Sequence, residues 1–143
     1  MTDLTLDTAR KILDTALAKA IEKKTKPMAI FVLDARGAIK ASLQQDGTSL
    51  MRGDVAHGKA YGAIAMGIGS RAIFKRANEQ PFFVGAVNAL AKGSLIPVPG
   101  GVLIKDGSGH IVGAVGISGD TSENDEECAI AGIEAAGLKA DAG

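Results

Sequence analysis

The sequence holds little of several things that usually announce a function. There is no tryptophan, and aromatic residues make up only 3% of the 143 positions. The interior must therefore be assembled from Ala, Val, Ile, Leu and Gly, with 19 glycines suited to close backbone approach and tight turns. The single cysteine, Cys128, excludes an intramolecular disulfide and fits a reducing compartment. Neither sign of charge dominates: 16 Lys and Arg balance 16 Asp and Glu, so the broad basic surface that nucleic acid requires is not expected. No apolar run reaches bilayer length, and the start Met1, Thr2, Asp3 lacks the basic and apolar regions of a secretory signal. A cytoplasmic protein without membrane or nucleic-acid partners is the expectation. Hydrophobic residues reach 46%, enough for one packed domain over residues 1–143.

The chain alternates helical and hairpin patterns. Residues 4–24 place Ile12, Leu13, Ala16, Leu17, Ala20 and Ile21 on one face, with Thr5 or Asp7 as cap. Residues 28–33 are continuously apolar, Asp34 to Gly37 turn, and residues 38–44 return, which predicts a hairpin with a buried first strand. A helix over 51–68 follows, with an unusually small face of Ala56, Ala60, Ala63 and Gly67 that admits a backbone or a flat ligand. Ser70 is placed to cap a short helix to Ala77, and Pro81 suits the first turn of a helix to Ala91. IPVPGG at 96–101 reads as a rigid loop or short strand. Residues 102–105 and 110–118 form a second hairpin, and Ser122 with Asp125 resembles a capping box for a helix to Leu138. The tail 139–143 is expected to fray. Two hairpins among helices predict an α+β fold with an antiparallel sheet rather than a doubly wound parallel one.

Chemistry-bearing residues are sparse. Asp54 and His57, three apart, are neighbours on a helix; the carboxylate could orient the imidazole, or both could hold a metal. His57 shares a stripe with Tyr61, Ile64 and Ile68, so a core-edge histidine is the plain alternative. A structural zinc site has no recognisable ligand spacing. In GAVGISGDT (113–121) a strand runs into a helix start, where free N–H groups bind anions, but Glu123, Asp125, Glu126 and Glu127 already complement that helix end. A hydroxyl or cation site through Ser118, Asp120 and Asp125 is easier to defend there. Pro97 to Gly101, with Pro99, Gly100 and Gly101, reads equally as a ligand seat or a strand-entry turn. Lys59, Arg71, Lys75 and Arg76 form a modest basic cluster, either a solvated helix face or a partner for carboxylates. Cys128 reads as a buried apolar residue, His110 as exposed, and Met66 as core.

Four stretches together, MAIFVLDARGAIKA, DVAHGKAYGA, IPVPGGVLIKDGSGHIVGAVGISGDT and NDEECAIAG, resemble the GlcG/HbpS-like family. They are also similar to the C-terminal domain attached to some cobalamin adenosyltransferases. The resemblance implies a profilin-like antiparallel sheet flanked by helices in a three-layer single domain. It also implies a homo-oligomer and haem or a related tetrapyrrole as ligand, with haem degradation or iron handling as possible roles. Carried onto matching positions, it points to Asp54, His57 and Lys59 as chemistry-bearing residues and His57 as the metal ligand. Tyr61, Arg71, Pro99, Gly100, Gly101, Ser118, Asp120 and Asp125 become candidate pocket walls, with Lys59 or Arg71 near the propionates. The competing reading is an enzyme of organic-acid catabolism, acting on a small carboxylated or carbonyl metabolite with His57 or Asp54 as general base. A third is an oligomeric partner protein with no ligand of its own.

Overall fold

A computed structural model describes residues 3–143; Met1 and Thr2, part of the polar start noted above, lie outside them. The elements run α1 (Leu6–Lys23), β1 (Ala29–Asp34), β2 (Ile39–Gln44), α2 (Met51–Met66), α3 (Ser70–Glu79), α4 (Pro81–Leu90), β3 (Gly101–Lys105), β4 (Ile111–Ser118), α5 (Ser122–Ala135) and β5 (Lys139–Asp141). The five strands form one antiparallel sheet in the order β2-β1-β4-β3-β5. The α+β expectation holds, with helices on both faces.

Alternation along the strands builds two cores. Ile30, Val32, Val102, Ile104, Val115 and Ile117 point to one face, where α1 and α5 pack on the sheet and on each other around Ile12, Cys128 and Ile133. Leu33, Leu103 and Ala114 point to the other and meet Ala60 and Ala63 of α2. The hairpin α3–α4 packs beside the C-terminal half of α2 through Ile73, Val84 and Leu95.

The small face of α2 receives a backbone. Gly116 of β4 lies so close beneath the helix that a Cβ there would run into the carbonyl of Ala56. Gly67 is not on that face; it ends the helix in the left-handed region at φ 70.

Several local expectations need correction. Thr5 caps α1, but Ser70 and Ser122 cap nothing. Gly69 precedes α3, leaving the Ser70 hydroxyl free to accept from Gly101 N–H at 2.7 Å. Thr121, one residue earlier than expected, caps α5 by accepting from Asn124 N–H at 3.1 Å. α3 continues through Asn78 to Glu79. The tail does not fray: Lys139 to Asp141 pair with β3, and the Ala142 carbonyl accepts from Arg71 N–H at 3.1 Å.

Candidate functional site

Helix α2 carries two different polar environments on its two flanks. Successive helical residues turn by about 100°, so His57 and Lys59 diverge by roughly 200° and cannot share a face. The sequence grouped them; the fold separates them.

Lys59 is 2% exposed and turned toward the end of the sheet. Its Nζ donates to Asp125 Oδ2 at 3.1 Å and to the Ile117 carbonyl at 2.9 Å. Asp125, 1% exposed, also accepts from Asp120 N–H at 3.1 Å. Burial pushes the Lys59 pKa down and the Asp125 pKa up, each opposed by attraction to the other. The pair ties α2 to the first turn of α5 across the end of β4.

The loop before β3 closes over it. Gly100 has φ +121, and a Cβ there would lie 2.9 Å from Lys59 Nζ; one on Gly101 would run into the Lys59 carbonyl. Pro99 and Gly100 are buried. Ser118 is fully buried and its hydroxyl accepts from Arg52 at 3.2 Å. Asp120 accepts from Lys26 N–H at 2.9 Å and from the Asn124 amide at 2.7 Å, and with the Thr121 N–H these hold its carboxyl at about 2. Arg71 donates to Glu126 at 2.9 Å, which raises its pKa. Lys59, Asp125, Ser118, Asp120, Gly100 and Gly101 thus converge, but their polar groups are already taken by protein partners. The basic cluster dissolves likewise: Lys59 is buried and Arg71 paired, while Lys75 and Arg76 are exposed on α3.

The opposite flank of α2 is open. His57 is half-buried between two aromatic rings: Phe31 meets it edge-on at 5.6 Å and Tyr61 stacks at 6.1 Å. The chain has four Phe and one Tyr, so two of its five aromatic rings flank this imidazole. Asp54 is exposed. Because α2 lies over β4, β1 and β3, it stops short of edge strand β2. Ser42 pairs with Phe31, and Ile39 pairs with Leu33, so both stand on the α2 side of the sheet. Ile39 is 53% exposed there.

The result is a shallow trough floored by Phe31 and bordered by His57 and Tyr61 on one side and Ile39 and Ser42 on the other. At one end the Gln44 amide lies against Gly53; at the other Gly37 approaches Tyr61. The more enclosed hollows lie elsewhere. A recess of about 300 Å³ is lined by Leu4, Asp34, Arg36 and Lys40, and a groove of about 470 Å³ by Leu17, Ile21, Pro27 and Leu43.

Neither flank gathers a protein metal cage: among the described residues no three His, Cys, Asp or Glu side chains group together. His57 is the imidazole that borders the trough. The other histidine, His110, is exposed beside Asp106 at 3.6 Å in the β3–β4 turn. Phe31 had no part in the sequence reading; its place under His57 follows from strand pairing. Among the described residues no helix is long and apolar enough to cross a membrane.

Residues 4–134 match the family model described as haem degrading protein HbpS-like. No curated protein matches the sequence. Among solved structures, the PduOC:heme complex superposes with a TM-score of 0.86 at 22% identity, covering 96% of this chain and 97% of that one. Klebsiella pneumoniae protein ORFY gives 0.84 at 22%, covering 96% and 93%. A double mutant of Streptomyces reticuli HbpS gives 0.80 at 24%, covering 94% and 87%.

Proposed function

The chain belongs to the HbpS-like family, and from that premise we propose that it binds haem in the trough beside α2, with His57 as the axial ligand. The observation that carries this reading is the half-open imidazole held between Phe31 and Tyr61 on the flank of α2 that, among the described residues, no other helix or strand packs over. A flat, largely apolar macrocycle suits such a floor, and Ile39 widens the apolar surface. The bound group would supply an iron whose remaining position and potential depend on this ligand and its surroundings. Lys59 is committed to Asp125 and Arg71 to Glu126, so neither is free to meet the propionates. The PduOC:heme complex, of the same fold, supports haem as the ligand class. The protein acts in this reading as a homo-oligomer.

A haemin titration read at the Soret band tests it. The expected result is saturation near one haem per subunit, with His57→Ala weakening binding at least tenfold. An unaltered Soret band and affinity in that variant would remove His57, and a response that never saturates would remove haem. An enzyme of small carboxylated metabolites gains less from the geometry: Asp54 faces solvent, and His57 packs on aromatic rings.

A further inference from the structure

Helix α4 has the sequence PFFVGAVNAL, ten residues without a charge, and only Val84 among them is buried. Phe82 is 94% and Leu90 84% exposed. Val84 and Val87 turn inward onto Ile73 and Leu95, and Asn88 is occupied by Leu95 N–H at 3.0 Å. The outward face is then Phe82, Gly85, Ala86, Ala89 and Leu90. Phe83, at its margin, lies under the Arg76 guanidinium at 4.6 Å. A surface of this kind is costly to leave in water and is normally covered.

We propose that α4 is a self-association surface and that its occupant is α4 of a second copy, packed antiparallel about a two-fold axis near Ala86. This rests on the homo-oligomer reading above and gives it a surface.

Three features favour a second copy. Bulky residues stand at the two ends of the face and small ones between them. Antiparallel pairing therefore lets the two helices approach closely at Gly85, Ala86 and Ala89, while Phe82 of one copy meets Leu90 of the other. The arrangement is isologous, each copy offering what the other needs. The charges at the ends agree with the same register: Glu79 precedes α4 and Lys92 follows it, so each Glu79 comes near the Lys92 of the other copy. Both are exposed, and the ion pairs among the described residues include neither. The size is also right for a closed, modest contact. The face offers roughly 400 Å² per copy, so pairing removes about 800 Å² from water, the range of weak interfaces unless other surfaces add to it.

Sedimentation over a micromolar dilution series, comparing the unaltered chain with Phe82→Glu/Leu90→Glu, is the test. Both side chains are solvent-facing in the protomer, so the fold should persist by circular dichroism and the haemin response should not move. A multimer that drops to a lower order in the variant supports the surface. A multimer unaffected by the variant overturns α4 while leaving self-association standing. A chain that is monomeric throughout overturns both, whatever the haemin titration shows. Ala86→Cys gives a readout independent of those substitutions: under mild oxidation it should form a disulfide-linked dimer across the axis, with Cys128 buried and out of reach. A multimer that yields no such product also overturns the proposal.

Discussion

The two flanks of α2 are built from similar residue types to opposite ends. On the Lys59 flank a lysine, two aspartates and a serine are packed until every polar atom has a partner. On the His57 flank one imidazole and two rings face an unfinished sheet edge. The first flank has chemistry-bearing residues but no room. The second has room and few residues. A convergence of polar groups is thus poor evidence for a site when those groups satisfy each other; unspent capacity beside open surface is better evidence.

The contrast can be broken from the closed side first. Asp125→Ala strands the Lys59 ammonium at 2% exposure, and such uncompensated burial costs about 3–5 kcal/mol. The melting temperature should fall by roughly 10 °C or more. Replacing both partners, Lys59→Met with Asp125→Leu, should recover most of that loss; failure to recover would show that the charges hold the loop through more than their own pairing. Gly101→Ala comes next. Its Cβ meets the Lys59 backbone, which cannot swing aside, and about 1–3 kcal/mol should be lost in a denaturant titration. On the open side His57→Ala should cost about 1 kcal/mol or less, since the ring is only half-buried, while abolishing most haemin affinity. A large thermal loss there would make His57 a core residue and erase the contrast.

The smallest effect concerns pH. Asp120 has its folded pKa depressed from 3.8 to about 2. Its contribution is therefore complete above the unfolded value and is lost as pH falls from about 4 toward 2. Asp120→Asn should flatten that part of the acid limb and leave stability above pH 5 with little slope change.

The sequence made the two hairpins and all five helices legible because their periodicities and turn residues agree with the final packing. What escaped it was set by distant partners. β5 has no alternation of its own and exists because β3 offers an edge. Asp125 looked like half of a capping box, a local reading that concealed a partner 66 residues away. Lysine is so rarely buried that the burial of Lys59 escaped the sequence reading, which had it as a solvated charge or a partner for carboxylates, although its two-residue offset from His57 was enough to separate them. His57 itself was legible from its stripe. Phe31 was not, since only the β1–β4 pairing with α2 above it brings that ring under the imidazole.

The lone thiol offers a use beyond its packing. Cys128 is wholly buried in the core between α1, α5 and the sheet, and burial pushes its pKa up to about 11. At neutral pH it is protonated and out of reach, so alkylation must wait until α5 lifts away. With no second sulfhydryl to confuse the signal, the labelling rate of the unmodified chain is a clock for that opening. It can be read with and without haemin, and in each variant above other than Ala86→Cys, with no engineered label.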